Sequence, residues 1–84
     1  MDDQSILSRI EALVDEEHAL VGREQDDAVS DDALESDRAR LSQVSVELDR
    51  CWDLLRQRRA LREAGRNPDE ADVRDADTVE KYLQ

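Results

Sequence analysis

One short acidic run, residues 15–18, has residue types and spacing that suit a metal ion. Asp15 and His18 lie three residues apart, beside Glu16 and Glu17. A carboxylate and a histidine at this spacing, with acids on a facing helix, are the ligands of di-iron bundles, and they also suit zinc. The helix pairing derived below sets Arg38 opposite His18, and an arginine opposes a bound cation. We therefore favour a histidine hydrogen-bonded to a carboxylate, and a metal site at Asp15, Glu17 and His18 is the weaker alternative.

The single cysteine, Cys51, has no partner group that would make it a catalytic nucleophile. Thiolate catalysis needs an adjacent base, and the only histidine, His18, lies far from it along the predicted hairpin. The sequence has no glycine-rich phosphate loop and no Ser/His/Asp set, and one cysteine excludes an internal disulfide framework. We therefore predict a protein that is not an enzyme and binds no cofactor.

Arginines near the middle of the chain form the best candidate for an exposed binding surface. They follow a leucine seam in residues 48–60, which also hold the only Trp. The predicted partner-binding residues are Trp52, Arg56, Arg58, Arg59 and Arg62. The alternative is that these guanidinium groups pair internally with Asp2, Asp3 or the acidic tail. Nucleic acid is disfavoured as the partner, because the net charge is −11 and no aromatic residues are interleaved with the arginines.

Apolar spacing of three and four residues predicts two helices in one small domain. Helix 1 is predicted over about 4–23, an acidic connector over 24–32 and helix 2 over 33–64. Asp32 with Glu35 suits a capping box for helix 2. Gly65 suits the left-handed position after its last turn. The tail, residues 65–84, is predicted to contain a short helix over 77–83.

A short connector makes the two helices antiparallel, so residue i faces roughly residue 56 − i. Helix 1 then ends near Asp53, and the last three turns of helix 2 overhang. Within the overhang, Leu54 and Leu61 share a face that would be exposed to solvent in an isolated hairpin. Two alternatives could bury this face: the tail, through Tyr82 and Leu83, or a second copy of the chain. We predict a coiled-coil-like antiparallel hairpin that dimerises into a four-helix bundle.

One acid lies inside the broad apolar stripe of helix 1, which comprises Ile6, Ile10, Leu13 and Leu20 with Leu7, Val14 and Val21 alongside. Glu17 follows the spacing of the leucines and isoleucines around it, and a charge there needs a partner. Arg38 or Arg40 of helix 2 is the predicted partner, in an ion pair that sets the helix register.

The N-terminus lacks a basic region followed by an apolar stretch, so no secretory signal is predicted. No run of about 18 apolar residues is present, so no membrane partner is expected. The cytoplasm is the expected compartment.

Four stretches, at 13–20, 48–60, 63–74 and 79–84, resemble a small, mostly actinobacterial family. They read LVDEEHAL, LDRCWDLLRQRRA, EAGRNPDEADVR and VEKYLQ, and the family is the domain of unknown function 2630. The resemblance implies a short, free-standing cytoplasmic helical protein, with no activity or site to transfer. It also implies that the tail belongs to the fold, and that Tyr82 and Leu83 dock.

Overall fold

The computed structural model describes residues 2–26 and 30–74, and it contains two long helices. Helix α1 spans Asp3–Glu24, helix α2 spans Asp31–Glu63, and a 3-10 turn follows at Pro68–Glu70. The two helices pack against each other, and the described ranges contain no strand. The predicted all-α hairpin is confirmed, and its pairing into a four-helix bundle stays a prediction.

Side-chain caps fix the start of each helix. The Asp2 carboxylate accepts a hydrogen bond from the Ser5 backbone N–H at 2.8 Å, and this bond lowers the pKa of Asp2. The Ser30 hydroxyl accepts from the Ala33 N–H at 3.2 Å. The predicted cap at Asp32 was therefore wrong. Asp32 instead lies in the first turn, where its charge complements the positive end of the helix dipole.

Gly65 ends α2, as the sequence predicted. Its φ is +72°, in the left-handed region where a side chain is strained. The Gly65 N–H donates to the Arg62 carbonyl at 3.0 Å, and the Arg66 N–H donates to the Leu61 carbonyl at 2.8 Å. These two bonds make a Schellman motif. Pro68 follows, and the chain leaves the helix axis here.

The core lies along the seam between α1 and α2. It is formed by six buried apolar side chains: Ile6, Ile10, Leu13, Val44, Leu48 and Leu54. No helix in the described part of the chain combines the length and the apolar character that crossing a membrane requires.

The predicted register holds in the middle of the hairpin. Arg9 contacts Glu47, and Glu16 contacts Arg40, each at 2.7 Å, and both pairs obey the rule that residue i faces residue 56 − i. By the same rule Asp3, the first residue of α1, lies at the level of Asp53. Its carboxylate contacts Arg58 further along α2, a distance that a long arginine side chain can span.

Residues 67–74 fold back over the end of α2, and we call them the return segment. Ala71 packs against the core that includes Leu54, which is buried, whereas Leu61 is half-buried. In the described part of the chain, Leu54 is thus buried in a core that residue 71 of the same chain contacts, and both predicted covers stay predictions. Tyr82, Leu83 and the helix predicted over 77–83 lie outside the described residues.

Candidate protein-interaction surface

Arg58 lies buried between the two ends of the described chain. Its Nε donates to Asp3 at 2.5 Å, and its Nη1 donates to Asp69 at 2.9 Å. The side chain is only 9% exposed, so this guanidinium is part of the interior. Hydrogen bonds from Arg62 and then Arg58 lower the pKa of Asp3. Arg58 therefore joins α1, α2 and the return segment.

The other arginines of the predicted binding surface also have partners within the chain. Arg62 contacts Asp3 at 2.9 Å, and Arg59 contacts Glu63 one turn along at 3.0 Å. Arg56 contacts Asp53 at 2.9 Å. Arg62 thus ties α2 to α1, whereas these contacts of Arg56 and Arg59 lie within α2. Arg59 is the most exposed of these three, with 78% of its side chain accessible.

Asp53 is a fully buried carboxylate that the sequence did not single out. It receives hydrogen bonds from Gln57 at 2.8 Å, from Arg56 at 2.9 Å and from Arg74 Nε at 2.8 Å, and Arg74 Nη2 also contacts it. Burial by itself raises the pKa of Asp53, but the hydrogen bonds from Arg74, Gln57 and Arg56 outweigh it and leave the pKa below its ordinary value. Asp53 is therefore ionised at neutral pH and anchors the return segment.

Gln57 holds the backbone of the return segment from the other side. Its Nε2 donates to the Asp72 carbonyl at 2.7 Å, and its Oε1 accepts from the Asp72 N–H at 3.2 Å. A side-chain amide that pairs with both polar groups of one residue fixes the position of that residue along α2. Gln57 thus fixes the position of residue 72 along α2. Asp53, one turn earlier, fixes the position of Arg74.

One edge of the hairpin is closed by ion pairs, and we call it the ion-pair edge. Arg9, Glu16 and Arg23 recur every seven residues on α1. They contact Glu47, Arg40 and Asp37 of α2 in turn, at 2.7, 2.7 and 2.6 Å. The predicted partner of Glu17 was wrong: Arg40 binds Glu16, and Arg38 lies 3.5 Å from Glu24. Arg40 pairs with Glu16 rather than Glu17 because Glu16 lies on the flank of α1 that Arg40 faces.

The opposite edge is apolar, with Val14 half-buried against the core and the other residues exposed, and we call it the apolar edge. It consists of Leu7, Val14 and Val21 on α1 and Trp52 on α2. The first three recur every seven residues on the flank of α1 away from Arg9, so they share the other side of the hairpin. Leu7 is 45% exposed, Val21 40% and Trp52 49%. Single exposed apolar residues are ordinary, but a row at constant spacing along one edge is typical of an interface.

A comparison with known families assigns the chain. The family model described as "Protein of unknown function (DUF2630)" matches residues 2–84. The chain belongs to the DUF2630 family. The resemblance seen in the sequence is thereby confirmed.

Relatives of this DUF2630 chain come from mycobacteria. Uncharacterized proteins of Mycobacterium bovis and of two Mycobacterium tuberculosis strains, CDC 1551 and H37Rv, are each 46% identical to it over 80 residues. The aligned part covers 95% of this chain and 88% of each relative. No solved structure matches the chain.

The DUF2630 chain does not gather the residues of the weaker metal alternative into a ligand set. Asp15 and His18 are exposed on α1, and Glu17 is half-buried. Among residues 2–26 and 30–74, no group of three or more histidine, cysteine or acidic side chains could hold a metal ion.

Cys51 is a half-buried thiol on the seam side of α2. Burial raises the pKa of Cys51, so at neutral pH it is protonated and a poor nucleophile. Its position beside the core is that of a packing residue.

Sequence reasoning missed two features of this surface. The apolar edge could have been predicted from the seven-residue spacing of Leu7, Val14 and Val21, but these residues were assigned to one broad core stripe. The burial of Asp53 could not have been predicted. Its burial depends on Arg74, which is 21 residues away and lies beyond a glycine and a proline.

Proposed function

We propose that this protein is a non-enzymatic helical interaction module that pairs with a second copy of itself through the apolar edge. The observation that carries the proposal is the contrast between the two edges of the hairpin. Ion pairs at 2.6–2.7 Å occupy one edge, while Leu7, Val21 and Trp52 each leave about half of their surface in water on the other.

The small size of the core favours a second copy as the occupant. Only six apolar side chains are buried in the described chain. A domain of this size gains little stability from its own core, and oligomerisation is a common remedy. Two hairpins that pack edge to edge would form a second apolar seam parallel to the first, which gives a four-helix bundle.

The arginine end of α2 is a weaker docking site than the sequence indicated. Arg58 and Arg62 both bind Asp3, so a partner that used them would have to replace these internal contacts. The proposed surface therefore keeps Trp52 from the predicted partner-binding set and moves the rest of the interface to α1.

We also propose the cytoplasm as its compartment. A lone thiol beside the core, without a second cysteine in the chain, suits a reducing environment.

A pair of variants tests the self-pairing. Leu7→Lys with Val21→Lys places two charges on the apolar edge, and Ser8→Lys with Gly22→Lys places the same charges one residue further round α1. Both pairs make the net charge less negative, so repulsion between acidic chains cannot explain a loss of pairing. Light scattering is expected to give twice the 9.6 kDa chain mass for the wild type and the control, and a single-chain mass for the edge variant.

Two further readouts accompany the masses. Emission from Trp52, the only tryptophan, is expected to shift to longer wavelength when the wild type is diluted. Added salt is expected to strengthen pairing, because it screens the repulsion between two chains of charge −11. A wild type of single-chain mass, or an edge variant that keeps twice that mass, would contradict the proposal.

A further inference from the structure

The surface of α2 that includes Arg50 has a groove. The groove is lined by Ser42, Gln43, Val46, Glu47 and Arg50. A second depression shares Glu47 and Arg50 with it, includes Arg9 of α1 and Cys51, and reaches Leu54 and Val73. The two form one continuous surface along α2, which we call the outer groove, and its C-terminal end is made by the return segment itself.

The direction of the return segment leads into the outer groove. Residue 72 is held at the level of Gln57, and Arg74 is held at the level of Asp53, one turn nearer the start of α2. The chain therefore runs antiparallel to α2 as it passes from residue 72 to residue 74. Continued in this direction, it next meets Arg50 and then Val46.

Arg50 is the charged group of the groove that lacks a partner among the described residues. Its Nε is buried and has no hydrogen-bond acceptor in this part of the chain. A buried donor without an acceptor costs free energy, about 1–3 kcal/mol in proteins. By contrast Glu47 is already bound by Arg9 at 2.7 Å. A carboxylate at Arg50 would therefore supply the hydrogen-bond acceptor that its Nε lacks and would balance its charge.

We propose that residues 75–83 of the same chain occupy the outer groove, with a carboxylate of Asp75 or Asp77 at Arg50. The segment reads DADTVEKYL and supplies acids first and the apolar residues Val79, Tyr82 and Leu83 after them. Val73 is 63% exposed and Val46 half-buried, so apolar surface in the groove is available to them.

The lengths agree with this placement. The eight residues of helix from Arg50 back to Ser42 span about 12 Å. Nine residues span about 13 Å as a helix and about 30 Å as an extended chain. Residues 75–83 therefore reach the far end of the groove in either conformation.

Paramagnetic broadening tests the proposal in the full chain. A nitroxide is attached to Gln84→Cys in a Cys51→Ser background, and amide signals are recorded with the label oxidised and then reduced. The oxidised label is expected to remove most of the signal intensity of residues 42–47 that the reduced label leaves. Arg50→Gln is expected to restore most of that intensity. Arg59→Gln is the matched control, because Arg59 is exposed and pairs with Glu63 on its own helix, and it is expected to leave the broadening unchanged.

A mixed sample separates the same chain from a second copy. Isotope-labelled chains without the nitroxide are combined with unlabelled chains that carry it. If the signals of residues 42–47 broaden in this mixture as they do when every chain carries the nitroxide, the tail of a second copy fills the groove. That result would overturn the proposal. Broadening absent from residues 42–47 in both samples would overturn it as well.

Discussion

Arg74 donates to the carboxylate of Asp53 across 21 residues of sequence, and this carboxylate has no exposure to solvent. The contact decides where the return segment lies. It also turns the polar face of α2 into an interior, because Asp53 is on the side away from α1. The return segment is thus held by the ion pairs of Arg74 with Asp53 and of Asp69 with Arg58 and by the Gln57 amide, with Ala71 as its contact to the apolar core.

Replacing Asp53 tests this anchor. Asp53→Asn keeps the shape of the side chain but leaves Arg74 and Arg56 without the negative charge. We expect the free energy of unfolding to fall by about 3 kcal/mol, as for the loss of one partner of a buried ion pair. Urea unfolding followed by circular dichroism measures it. Asp49→Asn, one turn earlier on α2 and half-buried, is the control and should change stability by less than about 0.5 kcal/mol.

The pH dependence of stability should carry the signature of the same carboxylate. The pKa of Asp53 is lower in the folded chain than its ordinary value of 3.8. Its contribution to stability is therefore complete above 3.8 and is lost as the pH falls through the lower folded value. The difference in unfolding free energy between wild type and Asp53→Asn should be constant from neutral pH down to the ordinary value and then shrink. A difference that grew on acidification would contradict the assignment.

Arg58 and Arg59 are neighbours in sequence with opposite roles. Arg58→Gln removes a buried guanidinium that binds both Asp3 and Asp69, and we expect a loss of about 2 kcal/mol. Arg59→Gln removes an exposed pair on one helix and should cost less than about 0.5 kcal/mol. Thermal unfolding of the two variants side by side makes the comparison. Equal losses would show that Arg58 is not the joint between the chain ends.

The two glycines should respond to alanine with opposite signs. Gly65→Ala forces a side chain into φ +72°, which costs about 1 kcal/mol, and no neighbouring atom lies within 4 Å of the new Cβ to add a clash. Gly22→Ala lies inside α1 with the same free space and should gain about 0.8 kcal/mol from helix propensity. Urea unfolding checks both, and a gain at Gly65 would place the end of α2 elsewhere.

Local rules were sufficient for the hairpin. The spacing of Ile6, Ile10 and Leu13 predicted the buried face of α1, and all three are buried. Gly65 predicted the end of α2, because few other residues tolerate the left-handed region. The cap at Ser30 was missed, since Asp32 with Glu35 satisfied the same pattern two residues later.

The return segment could not be read in the same way. Nothing in the periodicity of α2 distinguishes Asp53 and Gln57 from solvated polar residues, and their burial arises only when residues 72–74 arrive. Arg58 posed a similar problem. Its internal pairing with Asp3 was one of two open readings, and the long-range contact that decides between them spans 55 residues.

The alternation of charge along the ion-pair edge sets which helical register the chain can adopt. Sliding one helix past the other by seven residues would keep the same faces of α1 and α2 together. In one direction the slide brings Arg9 opposite Arg40. In the other it brings Glu16 opposite Glu47 and Arg23 opposite Arg40. Like charges at these positions repel, so the edge that adds little to the stability of the correct hairpin excludes both of its misaligned forms.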